Sequence, residues 1–156
     1  NVGEVGVVRR DPMAMKPFCG YNFADYWSHW LSFAERSDKL PRIFHVNWFR
    51  QDDSGKFLWP GFGENLRVIR WIIDRCEGRV DARSTPIGYL PNASDIDTSG
   101  LDVSADIMDA LLSVNLEAWR DEMHSVGEYL DSYGERLPAA LKKEQETVLE
   151  DLEKAS

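Results

Sequence analysis

Between Trp48 and Asn65 the chain reads WFRQDDSGKFLWPGFGEN, a run that concentrates the residue types needed to hold a flat ligand. Trp48, Phe49, Phe57, Trp59 and Phe62 stand beside a glycine-rich turn and the start of a helix. Phe62 lies between Gly61 and Gly63, in a loop that gives a side chain little regular structure to pack into. A ring presented from such a loop can stack on a planar ligand, at about 1–3 kcal/mol per base in nucleic-acid examples. Asn65 adds a carboxamide, which carries both donors and an acceptor and so can read a base edge. It falls in the first turn of the helix that follows, where backbone N–H groups lack intrahelical partners. A guanine O6 can accept from such donors, whereas adenine presents an amino group at that position. Glu64 can face a guanine N1–H or N2–H, or be a first-turn acid favoured by the helix dipole. Each ring taken singly also fits an ordinary core residue, and Asn65 an ordinary helix cap.

Other candidate chemistry is thinner. Arg9-Arg10-Asp11-Pro12 and Lys16–Asn22 pair basic residues with a turn, which suits either a phosphate or carboxylate site or a solvated loop. His45 reads as a core histidine, and His29 and His124 have no partners at ligand spacing. HxxxH, HExxH and cysteine clusters are absent from the sequence, so a complete metal site is not expected in it. GxxxxGK[ST] and GxSxG runs are absent as well. Cys19 and Cys76 are far apart and read as free thiols in a reducing cytoplasm. A formal net charge of -9 argues against a general nucleic-acid partner. The basic residues crowd the first half and the acidic excess follows Asp95, which favours a small anionic ligand near the first half.

These residues need elements to position them. With 43% hydrophobic residues the chain can bury a core, and its apolar runs are too short to span a bilayer. Asn22 caps an expected helix to about Arg36, with Phe23, Trp27, Trp30, Leu31 and Ala34 on one face. Arg42–Arg50 is β-branched, aromatic and apolar on both faces, the pattern of a strand buried on both sides. Asp52–Gly55 is turn chemistry, returning Lys56–Trp59 as a hairpin partner. A helix from about Glu64 carries Leu66, Ile69, Ile72, Ile73 and Cys76 on one face and stops at Gly78. Pro91–Gly100 reads as a surface loop. Three helices are expected beyond it: one capped by Ser104 and bearing Ile107, Leu111 and Val114, one starting at Asn115, and one with Pro138 in its first turn. The expected class is α/β, mostly helical with a minor β component. A lone buried strand needs neighbours from elsewhere, and Asn1 stands where a methionine would, so the chain reads as a piece of a longer protein.

Four runs, Arg10–Phe23, Lys39–Arg50, Gly55–Asn65 and Thr85–Gly88, closely resemble the GTP-dependent phosphoenolpyruvate carboxykinases, covering roughly residues 8–90 in consistent order. The resemblance implies a C-terminal fragment of that family's nucleotide-binding lobe. Residues 1–91 would be its guanine-pocket part, with 1–7 the end of a mobile lid, and 92–156 its helical tail. The implied reaction converts oxaloacetate and GTP to phosphoenolpyruvate, CO2 and GDP, a decarboxylating lyase step with phosphoryl transfer in gluconeogenesis. Carried over by position, Phe49 and Phe62 would sandwich guanine, Trp48 and Phe57 wall the pocket, and Asn65 read the base edge. Phe18 would edge the phosphoenolpyruvate pocket. Mn²⁺ or Mg²⁺ would serve the full-length enzyme through ligands outside this chain, so the chain alone would carry no catalytic residue and be inactive.

The further implications are a cytoplasmic, monomeric full-length enzyme with small-molecule substrates and no nucleic-acid or membrane partner. Leu66 stands where the family favours a small polar residue, and Cys19 where a larger apolar one is expected; neither touches the proposed contacts. Two other classes compete: a stand-alone guanine-nucleotide-binding or regulatory module, and a carbohydrate-binding module using the aromatic platform.

Overall fold

Asn22 ends an irregular lead-in and caps the first helix, its Oδ1 accepting from the Ala24 N–H at 2.9 Å. The computed structural model describes residues 10–155; the expected lid end, residues 1–7, lies outside them. Among the described residues the helices are α1 (Phe23–Leu31), α2 (Asn65–Cys76), α3 (Ala105–Leu112), α4 (Leu116–Asp131) and α5 (Ala139–Lys154). The strands β1 (Arg83–Thr85) and β2 (Gly88–Leu90) pair antiparallel, with Ser84 opposite Tyr89. The chain is therefore mostly helical with one small sheet. None of its described helices is long and apolar enough to cross a membrane.

The contacts divide the chain into two units. One joins the described residues up to Leu40 with Arg120–Glu153, and its core is Phe23, Ala24, Trp27 and Leu130. Trp27 packs edge-on against Tyr133 at 4.9 Å between ring centroids, and burying rings of this size contributes about 1.5–3 kcal/mol each. Tyr129 and Tyr133 share a hydroxyl hydrogen bond of 2.6 Å. Gln145 on α5 is buried and donates to the Met123 carbonyl on α4 at 3.0 Å. Polar pairs tie other parts of this unit, Arg10 to Glu122 and Arg136 to Asp25.

The other unit is Pro41–Trp119 with the last described residues, Lys154 and Ala155. Its core is Trp59, Trp71, Ile96 and Met108, with Phe44, Trp48, Val68 and Ile72 packed around it. Ser104 caps α3 through the Ile107 N–H at 3.3 Å. At the other end of α3, arginines take the leftover carbonyls: Arg50 donates to Leu111 O at 3.1 Å and Arg83 to Leu112 O at 2.8 Å. Cations there also oppose the negative end of the helix dipole.

Several expectations change. Arg42–Arg50 is not a strand buried on both faces. No strand is assigned to it, and half-buried Phe44, Val46, Trp48 and Arg50 alternate with exposed Ile43, His45, Asn47 and Phe49. A doubly buried strand needs neighbours on both sides, and the described residues supply none. In α2 the buried residue is Trp71, flanked by Val68 and Ile72, while Leu66, Ile69, Ile73 and Cys76 are exposed. The expected apolar face is real as a pattern but faces outward. Pro91–Gly100 is more than a surface loop, because Ile96 reaches the core behind a short turn closed by an Asn92/Asp95 capping box. In the first helix the buried set is Phe23, Ala24 and Trp27, with Trp30 and Leu31 partly exposed; α1 ends at Leu31 and a 3-10 turn continues to Glu35. Val114 falls beyond α3, and Pro138 sits just before α5, a difference of one residue at a boundary.

Candidate functional site

The Trp48–Asn65 run folds as a tight hairpin followed by a turn into α2. Asp52 organises the hairpin: its Oδ1 accepts from the Ser54 N–H at 2.9 Å, the Ser54 hydroxyl at 2.7 Å and the Lys56 N–H at 3.0 Å. The Ser54 hydroxyl and these amides hold the Asp52 carboxyl below its ordinary pKa. Gly55 at the bend has φ of 83°, a conformation that glycine takes without steric cost. The arms join through a Gln51–Phe57 bridge and the Leu58 N–H to Arg50 O at 2.9 Å. Folding back in this way brings Phe49 and Phe57 together, centroids 6.1 Å apart and planes at 63°. Both rings stay open, 72% and 52% exposed.

Phe62 is 96% exposed and has φ of 44°. A left-handed conformation costs a β-carbon residue roughly 1–2 kcal/mol, so the loop holds this ring outward against local preference. The loop is anchored where it enters α2. Glu64 pairs with Arg67 at 2.6 Å, and Arg67 continues to Asp97 O at 2.7 Å and Ser99 O at 3.1 Å. Glu64 is thereby tied through Oε2 to the start of α2. The backbone N–H groups of Glu64 and Asn65 are also taken, by carbonyls of the 3-10 turn Phe62–Glu64 and Gly61. That corrects the expectation of unpaired amides here: the tighter turn before α2 supplies the missing acceptors.

Asn65 is not spent on a helix cap. Its Oδ1 accepts from the Trp59 indole N–H at 3.0 Å, and Trp59 is itself buried in the core. The carboxamide is half-buried beside the loop that carries Phe62. Trp48, expected as a pocket wall, is half-buried and packs against the core cluster around Trp59. The structure thus pairs Phe49 with Phe57 and Asn65 with Trp59. Trp59 was legible as one ring of the aromatic group but not as a partner of Asn65. The available signal was a donor-only indole six positions before a carboxamide, across a glycine turn.

Phe18 belongs to the other unit, where it is 80% exposed at the end of a short turn, Lys16–Phe18. Of the arginines expected to favour an anion, Arg42 donates to Arg75 O, Arg50 holds the end of α3, Arg67 pairs with Glu64 and Arg70 with Asp74. Among the described residues no three His, Cys, Asp or Glu side chains gather as a metal site. Cys19 and Cys76 are free thiols.

The family model described as phosphoenolpyruvate carboxykinase C-terminal P-loop domain matches residues 1–151. A Chlamydia trachomatis protein named phosphoenolpyruvate carboxykinase [GTP] is 49% identical over 152 residues, 97% of this chain and 25% of its own length. Proteins of the same name from Chlamydia pneumoniae and Anaeromyxobacter dehalogenans are 52% and 48% identical, over 92% and 95% of this chain and 24% and 25% of theirs. The chain thus spans about a quarter of the length of these relatives. Matched along nearly all of its residues, the chain belongs to the family of the phosphoenolpyruvate carboxykinase C-terminal P-loop domain.

Proposed function

We propose that these residues form the guanine-recognition part of a GTP-dependent phosphoenolpyruvate carboxykinase, within the nucleotide-binding lobe of that enzyme. The observation that carries the reading is the 49% identity across 97% of the chain to a protein of that name. Three features of the site support it: two exposed rings brought together by the hairpin, a third held outward on a strained loop, and a carboxamide fixed beside that loop. In this assignment Phe49 and Phe62 sandwich the base, Phe57 and Trp48 back the pocket, and Asn65 reads the base edge. Phe18 edges the phosphoenolpyruvate pocket. Residues 1–91 form the guanine-pocket part of the lobe and 92–156 its helical tail.

The proposed reaction takes oxaloacetate and GTP to phosphoenolpyruvate, CO2 and GDP. Loss of CO2 leaves an enolate whose oxygen accepts the γ-phosphoryl group, and a divalent ion supplies charge neutralisation in chemistry of this kind. The described residues do not fit that ion, so Mn²⁺ or Mg²⁺ and the groups that act on the phosphates are assigned to the rest of the longer protein. The role of this chain is to bind and orient the base, which holds the nucleotide in register for transfer. The same reading assigns the enzyme small-molecule substrates and a cytoplasmic place. The stand-alone binding module is not favoured, because the relatives are about four times the length of the matched span.

The test is an assay of phosphoenolpyruvate formation from oxaloacetate by the full-length protein. Turnover with GTP, at least tenfold weaker turnover with ATP, and none from the 156-residue chain alone are expected. Equal use of the two nucleotides, or activity of the short chain, would overturn the reading.

A further inference from the structure

A primary carboxamide has two ends of opposite hydrogen-bonding character, and turning it by 180° exchanges them. An Asn free to turn can offer donors to a carbonyl oxygen or an acceptor to an amino group, and then discriminates poorly between them. Asn65 is not free in this way. Trp59 Nε1 lies 3.0 Å from Asn65 Oδ1, and an indole has a donor and no acceptor. Only the oxygen of the carboxamide can face that partner, so the chemistry of the partner fixes which end points where.

The donor is itself buried. Trp59 is 5% exposed and shares the core cluster with Trp71, Ile96 and Met108. With Oδ1 turned toward the indole, Nδ2 is the end left to a ligand. The preceding acid, Glu64, is turned to Arg67 through its Oε2 at 2.6 Å.

We propose that Trp59 is a positioning residue for base selection: its indole N–H locks the Asn65 carboxamide donor-outward, so the site admits a purine with a carbonyl oxygen at position 6 and refuses one with an amino group there. This rests on the guanine reading above and adds the residue that sets the selectivity. The choice of base is then made in the core of the unit, one bond behind the residue that touches it.

The test uses the full-length protein and calorimetric titration with two probes. One is GDP. The other is the diphosphate of 2,6-diaminopurine riboside, which keeps the 2-amino group of guanine and replaces O6 by an amino group. The wild type is expected to bind GDP at least tenfold tighter. Trp59→Phe keeps an aromatic ring but deletes the N–H, and is expected to narrow that ratio to threefold or less. In the Asn65→Ala background the same change should leave the ratio unaltered, because both residues act through one bond. A merely structural role for Trp59 would weaken both probes alike and keep the ratio, an outcome that overturns the inference while leaving the guanine reading intact if Asn65→Ala alone abolishes the preference. A wild type without preference overturns both.

A second measurement needs no change in the core. The ¹H–¹⁵N resonance of the Trp59 indole should shift and exchange faster with solvent in Asn65→Ala. An unmoved resonance would show that the bond is not made and overturn the inference.

Discussion

At the scale of single residues, exposure and strain coincide on Phe62. The ring is 96% exposed at a φ of 44°, so it contributes little packing and its backbone is held against preference. Phe62→Ala is expected to leave the melting transition nearly unchanged. The same change should weaken GDP binding by about tenfold or more, the equivalent of losing a stacking contact of about 1–3 kcal/mol. Calorimetry on the same preparation checks both. Tyr133 gives a pH prediction. Desolvation, with the hydrogen bond to Tyr129, pushes its phenol up from 10.0 to about 12. Below pH 10 the phenol is protonated whether the chain is folded or unfolded, so its contribution to stability is fully present. As pH rises through the folded value the unfolded chain has already lost the proton, and the contribution disappears. Absorbance titration at the phenolate band should show one tyrosine ionising near pH 12 and stability falling between pH 10 and 12; Tyr133→Phe should remove that late step. Of the proposed site, the rings, the glycine loop and Asn65 were picked out from residue types alone. The Trp59–Asn65 bond was not, because a partner six positions away across a turn leaves no periodicity to read.

At the scale of elements, local chemistry was the most legible layer. Asn22 and Ser104 cap where a short polar side chain before an apolar run predicts it, and Asp52–Gly55 makes the expected turn. Burial was less legible, since periodicity says that a face is apolar but not what covers it. Leu66, Ile69 and Ile73 form such a stripe on α2 and are exposed. The β1–β2 hairpin was missed because three-residue strands carry too few alternations to register. The packing of α4 on α5 turns on one glycine. A Cβ at Gly127 would come 2.9 Å from Gln145 Nε2, the atom that donates to Met123 O. In a helix interior Gly→Ala ordinarily gains about 1 kcal/mol. Gly127→Ala is expected to gain nothing, or to destabilise, in the wild type because it displaces the buried amide. In a Gln145→Ala background it should recover a gain of about 0.5–1 kcal/mol. Urea denaturation of the four variants measures the coupling, and a gain in the wild type equal to that in the Gln145→Ala background would contradict the packing.

At the scale of the whole molecule, a chain with a net charge of -9 is proposed to carry the base-recognition part of a site for an anion. The resolution lies in where the cations go. Arg50, Arg67 and Arg83 are spent on carbonyls that hold the second unit together. In the proposed reading the aromatic surface binds through its rings and one carboxamide, by stacking and edge recognition, with the phosphates assigned to residues beyond this span, which is about a quarter of the length of its relatives. The strand expected at Arg42–Arg50 failed for a related reason: its pattern reports two buried faces, and the described residues cover only alternate side chains. The central claim, that base recognition resides in these residues, is tested most directly by tryptophan fluorescence. Trp59 touches Asn65 and Trp48 packs beside it in the same cluster, so a base read by Asn65 must perturb their emission. Titrating the folded chain with GDP and, separately, ADP should give saturable quenching by GDP and at least tenfold weaker response to ADP. Equal responses, or none to GDP, would contradict it.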